Sequence, residues 1–584
     1  MKQYKKYVIP YKSAFILGPI FMIVEVLGEI ILPKLMSMII NYGCGQDVTV
    51  AAKGPAYIIG IGAAMIGTAL LMMMGGVLGA YFAVKASVNF AGDLRRDVFA
   101  KVQKFSFANI EKFSTGSLVT RLTNDITNIQ NVLSMGLRML LRAPGMLIGG
   151  LIMAFLMNAK LALVFCVVIP VLIIALAFVM KTAFPRFDVM QTKIDGLNSR
   201  IQENITNQRV VKSFVRDDFE KETFDRANNE LKDKTLRAMK VVILTMPIMT
   251  LAMNLTVMAV VWFGGQQILI GDMPVGNLTA FTTYVTQILM SLMMVSMIMI
   301  QGSRAMASSH RILEVLDTEP SIEDGTRDTF PVMKDGEVEF KDVSFKYPDA
   351  EEYVLEHISF SAKKGETIAF IGATGCGKST AINLIPRFYD ATEGEVFVDG
   401  MNVKEYTQEA LHNKIGYVSQ KAILFSGTIA DNVAYGENGK APATQDDIAM
   451  AVKVAQASEF VEKKDQGYDG YVAQGGSNFS GGQKQRLSIA RAIARQPEIL
   501  IFDDSFSALD YKTDRILREA LRKECKDATK IIVAQRIGTI RDADKIIVLD
   551  DGQIAGMGTH DELMKNCEVY QEIAYSQLSK EELA

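Results

Sequence analysis

The sequence predicts a multi-domain membrane protein: an all-α domain of six bilayer-crossing helices, followed by a mixed α/β domain built around a glycine-rich phosphate-binding loop. Three observations carry that prediction. Of 584 residues, 49% are hydrophobic and the mean hydropathy is +0.17, so the chain is too long for one domain and too apolar for an ordinary soluble enzyme. Long apolar stretches crowd the first half, and none occurs from Asp335 onward. A GxxxxGKS sequence in the second half sits between a short apolar run and a helical one, the context such a loop requires.

The apolar stretches cover approximately 14–40, 55–84, 135–157, 160–182, 241–270 and 276–300. Each reaches or exceeds the roughly 20 residues a helix needs to cross a bilayer. Lys2, Lys5, Lys6 and Lys12 precede the first, and Lys and Arg crowd the connections at 85–134 and 183–240. The short connections at 41–54, 158–159 and 271–275 carry little positive charge. The positive-inside rule therefore places the N-terminus, both long connections and the C-terminal domain in the cytoplasm. The first stretch does not read as a cleaved signal peptide: it is too long, contains Glu25 and Glu29, and lacks a small-residue cleavage site. Helical extensions of about 25 residues beyond the membrane would reach roughly 40 Å, far enough to touch a cytoplasmic domain.

The segment from Asp317 to Lys334, rich in Asp, Glu, Thr and Pro, reads as the linker. Beyond it, Thr367-Ile-Ala-Phe-Ile371 has a buried strand's composition, and Gly372-Ala-Thr374-Gly375-Cys376-Gly377-Lys378-Ser379-Thr380 leads into a helix from Ala381. Glycines let backbone amides turn inward around phosphate oxygens, Lys378 supplies a mobile cation to the terminal phosphates, and Ser379 offers a hydroxyl to magnesium. About a hundred residues on, Phe479-Ser480-Gly481-Gly482-Gln483 opens an amphipathic helix through Arg491 whose first amides can face a phosphate. The apolar strand Ile499-Leu-Ile-Phe502 then ends in Asp503-Asp504, followed by Ser507-Ala-Leu-Asp510.

With these motifs in this order, the chain resembles an ATP-binding cassette (ABC) transporter of the exporter type, and the resemblance spans nearly its whole length. It implies a transmembrane domain at 1–310, a linker at 311–335 and a nucleotide-binding domain at 336–584, with ATP and Mg2+ as cofactors. It implies that Tyr347 stacks on adenine and that the loop from Gly372 to Thr380 cradles the phosphates. Gln420 would link magnesium to the membrane domain, Asp503 would hold magnesium directly or through water, and Ser480 to Gln483 would contact ATP held by the opposite subunit. The stretch from Gly116 to Asp125 resembles the region that couples the two domains, with Glu203 to Phe214 in the corresponding place of the second connection. A nucleic-acid ATPase is excluded by the six spans, and a net charge of −3 gives no hint of nucleic-acid binding.

Departures from the family pattern fall on catalytic positions. Asp504 stands where glutamate is usual, Gln535 where the family has histidine, and Gln474 where glutamate is common. Removing one methylene pulls a general base back by roughly 1.5 Å from the water it must reach. Gln535 can hydrogen-bond a phosphate oxygen but cannot take up a proton. Exporters built from two different chains often carry such substitutions in one chain, and this sequence resembles that chain in multidrug-type pumps. The implied partner is a second homologous half-transporter. Lys378, Asp504 and Gln535 would belong to a hydrolysis-impaired site, and the signature, altered only mildly by Phe479, would complete the competent one. The alternatives are a slow homodimeric exporter of lipid, peptide or drug, and an ATP-gated membrane sensor or pathway.

For cargo, Glu25 and Glu29 sit four apart and so share a helical face. Two readings stay open: they line the path and favour cationic or amphipathic cargo, or they pair with Lys34 or with Arg138 and Arg142. Met246, Met249, Met253, Met290, Met293, Met294 and Met297 suggest an adaptable cavity for small hydrophobic or amphipathic molecules, or simple gap-filling. The five cysteines show no metal or disulfide spacing, and Cys376 in the phosphate loop is expected to react with thiol reagents unless ATP shields it. The membrane expected is the inner or plasma membrane of a bacterium.

Overall fold

The computed structural model describes residues 3–45, 53–328, 335–348, 350–439 and 441–577, and no side chains at 296, 297, 299, 300, 303 and 304. Lys2, the side chain of Met297, part of the first short connection and the end of the linker thus lie outside what is described. The chain forms two units, Met1–Gln103 with Gly116–Thr318, and Lys104–Thr115 with Glu319–Ala584.

In the first unit, six helical runs are long and apolar enough to cross a membrane: Lys5–Gly43, Pro55–Gln103, Thr115–Met157, Ala159–Thr206, Asp217–Leu269 and Val275–Val295. Each contains or overlaps one apolar stretch of the sequence. The helices outrun the bilayer because polar but helix-favouring residues continue them: Pro55–Gln103 is 49 residues long, roughly 73 Å against a hydrocarbon core of about 30 Å. Small residues let the first two helices approach backbone to backbone, since a Cβ added at Gly75 would lie 2.9 Å from the Phe21 carbonyl oxygen. The bundle core centres on Phe165, Phe281, Tyr284 and Ile288. The Tyr284 hydroxyl, buried there, donates to the Ile30 carbonyl at 2.7 Å, as a buried phenol requires.

The first connection differs from expectation. Gly116 to Asp125, expected to be the coupling element, packs within the membrane unit: a short helix runs into a π-turn over Arg121–Asp125. There the buried Asp125 accepts from Ser308 Oγ at 2.8 Å and Arg311 Nε at 2.7 Å, tying the third span to the sixth. The segment that joins the α/β unit lies about ten residues earlier. It is the helix Phe107–Phe113, capped by Ser106 in a reciprocal box with Asn109. Phe107 packs on Phe388 with ring centroids 4.7 Å apart.

In the second unit, four antiparallel strands run in the order Leu355–Ala362, Val338–Phe345, Glu393–Val398, Met401–Asn402. A six-stranded sheet runs Gln553–Gly558, Lys545–Asp550, Thr367–Gly372, Thr529–Val533, Ile499–Asp503, Ile415–Val418. All but the first of these are parallel, and the two strands Thr529–Val533 and Ile499–Asp503 are buried along their whole length, one face packed on the antiparallel strands and the other on helices. The register pairs Val533 with both Phe370 and Asp503. Three strands therefore end within two residues of one level, and whatever follows each of them converges on one edge.

Candidate functional site

That edge gathers the phosphate loop, Asp503-Asp504 and Gln535. The loop leaves its strand at Gly372 and enters the helix Lys378–Asn383 through Gly377. At Gly377, φ is +93° and an added Cβ would sit 2.7 Å from Leu355 and 2.8 Å from the Val354 carbonyl, so both conformation and space demand glycine. Gly375, at φ +91°, faces open space, and Thr374 is exposed beside it. Lys378 Nζ curls back over the loop, donating to the carbonyls of Gly372 at 2.9 Å and Ala373 at 2.6 Å. Cys376 is buried beneath, its Sγ 3.5 Å from Lys378 Nζ. This revises the expectation of a reactive thiol: packing, and not only nucleotide, shields Cys376.

Ser379 donates through Oγ to Asp503 Oδ1 at 2.7 Å. The Tyr417 hydroxyl donates to Asn383 Oδ1 at 2.9 Å and lies 3.4 Å from Asp503 Oδ2. Asp504, 8% exposed with φ +45°, holds a left-handed backbone that a non-glycine residue adopts only under constraint. Its Oδ2 accepts from Gln535 Nε2 at 2.9 Å and Gln420 Nε2 at 3.3 Å. The short carboxylate is thus clasped by two side-chain amides. Tyr347 exchanges a hydrogen bond with Thr380 at 3.1 Å. Ser480 caps the helix Gly481–Ala494 in a reciprocal box with Gln483, and Gly481 beside it is exposed with nothing within 4 Å of an added Cβ. Phe479 is buried and Lys464 lies over its ring at 4.2 Å, so the exchange from leucine is absorbed by packing.

The serine hydroxyl, Asp503 carboxylate and Gln420 amide make an oxygen donor set suited to a hard divalent cation. Among the described residues no group of three or more His, Cys, Asp or Glu could hold a metal by itself. Few protein oxygens completed by phosphates is the pattern magnesium favours. Burial raises the carboxyl of Asp503, partly offset by the Ser379 hydrogen bond and reinforced by the neighbouring Asp504 charge. Burial likewise raises Asp504, against hydrogen bonds from Gln420 and Ser507. A raised carboxyl binds its proton more tightly folded than unfolded. Each ionised group therefore costs stability above its folded value, and the cost is relieved as pH falls through that value toward the ordinary carboxylate range. Asp503→Asn should accordingly raise the melting midpoint of the magnesium-free protein at neutral pH. It should also abolish the extra stabilisation that magnesium adds to ATP, read by thermal shift with and without the metal.

Sequence reasoning missed Tyr417 and Asn383. A tyrosine in the otherwise apolar Ile415–Val418 strand was the one available signal for the first.

In the membrane unit, Arg142 joins both acids of the first span, Nη1 to Glu25 Oε1 at 3.0 Å and Nη2 to Glu29 Oε1 at 2.6 Å. Among the described residues neither Lys34 nor Arg138 reaches them. The second carboxylate oxygen of each glutamate and Gln287 Oε1 are buried without a hydrogen-bond partner. The methionines divide: Met249 is buried, Met253 and Met293 pack on the core, and Met246 and Met290 are exposed.

Comparison with known proteins places both units in context. Residues 15–292 match the model described as the ABC transporter transmembrane region, and residues 355–507 match that described as ABC transporter. The chain is 39% identical over 573 residues to the uncharacterized ABC transporter ATP-binding protein YfiB of Bacillus subtilis (strain 168), covering 98% of both. It is 34% identical to an ATP-dependent lipid A-core flippase of Desulfotalea psychrophila, covering 81% of this chain and 82% of the other. The solved structure of a bacterial Atm1-family ABC exporter with ATP bound superposes with a TM-score of 0.77 at 25% identity, covering 97% of each chain.

Proposed function

Because the chain belongs to the ABC transporter family, with that family's transmembrane region and ATPase domain joined in one exporter-like polypeptide, we propose that it is the hydrolysis-impaired half of a heterodimeric exporter. The observation that carries this reading is the Asp504 carboxylate clasped by the amides of Gln535 and Gln420. A general base must present its oxygen to a water, and here the one methylene lost is compounded by two donors that engage the same oxygen. Neither donor can take up a proton.

ATP would lie with adenine against Tyr347 and its phosphates over Gly372 to Thr380, with Lys378 released from the loop carbonyls to the terminal phosphates. Ser379, Asp503 and Gln420 would hold magnesium, which neutralises charge on the phosphate oxygens. Ser480, Gly481, Gly482 and Gln483 would close over ATP held by the partner, whose own glutamate and histidine would carry most hydrolysis. Binding would clamp the ATPase domains and turn the cavity outward, and hydrolysis would reset it. A partner is further supported by exposed apolar side chains at the tip of the second connection, Val210, Phe214 and Val215, which an isolated chain would leave in water.

The cargo we favour is small and hydrophobic or amphipathic with a cationic group. The Glu25–Arg142–Glu29 cluster supports this because two carboxylates share one guanidinium, leaving an excess negative charge and unfilled acceptors within the bundle. Relatives include a protein named as a lipid A-core flippase, itself a mover of amphipathic molecules. The N-terminus and ATPase domain would face the cytoplasm from the inner or plasma membrane.

Native mass spectrometry of the complex extracted with a C-terminal tag tests the assembly. A stoichiometric second chain with glutamate and histidine at the matching positions is expected. A mass of twice 64.4 kDa with no other chain would contradict the heterodimer and make Asp504 a working base.

A further inference from the structure

The helix Phe107–Phe113 belongs to the ATPase unit in its contacts, and one aromatic pair receives it. Arg387, at φ +56°, takes a strained left-handed turn that a two-pronged ion pair to Asp390 holds, Nε to Oδ1 at 2.8 Å and Nη2 to Oδ2 at 3.2 Å. After this turn Phe388 and Tyr389 part. The Phe388 ring lies 5.2 Å from that of Tyr417, the residue whose hydroxyl approaches Asp503. The Tyr389 ring stands edge-on to Tyr347, 5.3 Å between centroids at 86°, and 6.3 Å from Phe107. Its hydroxyl donates to Glu111 Oε1 at 3.0 Å. Tyr389 is therefore the one residue among these that touches both the adenine-side tyrosine and, through hydroxyl and ring, two positions of the connecting helix.

We infer that Tyr389 is a positioning residue through which occupancy of the adenine side at Tyr347 sets the seating of the Phe107–Phe113 helix, while Phe388 and Tyr417 report the metal side to Phe107. This rests on reading the site as ATP's. The physical basis is packing: a T-shaped pair holds its geometry only while both rings keep their tilt. A base stacked on Tyr347 fixes the tilt of Tyr347, hence that of Tyr389, hence the line of its hydroxyl to Glu111. Coupling of this kind is reciprocal, so seating of the helix also biases nucleotide affinity. The hydrogen bond and ring contacts of Tyr389 run to Glu111, Phe107, Phe345 and Tyr347, none of them in the phosphate loop, so its loss is expected to leave the phosphate and magnesium groups intact.

The test is amide hydrogen exchange over residues 104–115 in the full complex in lipid nanodiscs, with and without magnesium and adenylyl imidodiphosphate, alongside the dissociation constant for that analogue. In the unaltered protein the analogue is expected to slow exchange about tenfold, in the range of ordinary coupling energies. Tyr389→Leu should reduce the response to less than about twofold while the dissociation constant moves less than about threefold. Glu111→Gln, whose amide oxygen still accepts from the hydroxyl, should respond as the unaltered protein does. A response that persists in full in Tyr389→Leu overturns the relay. If that variant does not fold, Tyr389→Phe decides: a response cut by half or more supports the hydroxyl link, and an undiminished one overturns it. Failure of the unaltered protein to bind the analogue would overturn the ATP reading itself, and the relay with it.

Discussion

Gly481→Asp is expected to lower ATP turnover and transport by the assembled complex at least about 100-fold, whereas Asp504→Asn lowers both by less than about threefold. The contrast follows from where each side chain would act. Gly481 opens the helix Gly481–Ala494, and a Cβ there meets nothing within 4 Å. Aspartate fits, and an acid in a first turn favours the helix by about 0.3–1 kcal/mol, so folding is preserved. Its carboxylate, however, would stand where the partner's ATP must present its phosphates. Two like charges about 4 Å apart in a partly shielded interface repel by roughly 4 kcal/mol, which is about a thousandfold in rate or affinity. Asp504, by contrast, is engaged by two amides, and if its site is the impaired one proposed, asparagine there removes little that is used. Phosphate release by purified complexes, with melting midpoints to confirm folding, separates the cases. Equal losses would mean that Asp504 is a working base, and the asymmetric assignment would fall.

What could be read from the sequence, and what could not, divides by range of interaction. Six spans and the phosphate loop are written locally, one as continuous hydropathy and the other as a fixed spacing of Gly, Lys and Ser between strand and helix. The edge that unites Gly372, Asp503 and Gln535 was legible only through the resemblance, because strand register spanning more than 130 residues leaves no local mark. The coupling segment was placed about ten residues late for a local reason. Its seven-residue helix has no apolar period to detect, and its cap uses Asn109 where a glutamate or glutamine would have signalled a box. Gly116 then looked like the start of the next element. The clasp on Asp504 was half legible: the substituted residue types could be named, but not that both amides would turn to the same oxygen. Arg142 was one of three candidate cations for Glu25 and Glu29, and sequence distance could not rank them.

Arg142→Leu is expected to cost about 3–5 kcal/mol, because it leaves two carboxylates buried side by side with no cation. Arg142 and Glu29 each lie roughly 22 Å of helix from the far ends of their spans at Met157 and Gly43, a depth within the hydrocarbon core. Both acids are mostly shielded, with side chains 16% and 19% exposed. Among the described residues no other cation pairs with Glu25 or Glu29, so thermal and SDS-induced unfolding in detergent should both shift strongly. The triple change Arg142→Leu, Glu25→Gln and Glu29→Gln should recover most of the loss, since neutral amides in place of both charges remove the repulsion along with the pair. Recovery matters for function as well as stability. A folded pump without the cluster can be asked whether it still moves a lipophilic monocation such as ethidium into inverted vesicles. Loss of that movement with neutral amphiphiles still carried would locate cation selection at Glu25 and Glu29. Unchanged movement of both would mean that the cluster only braces the first span against the third, and the preference for cationic cargo would be discarded.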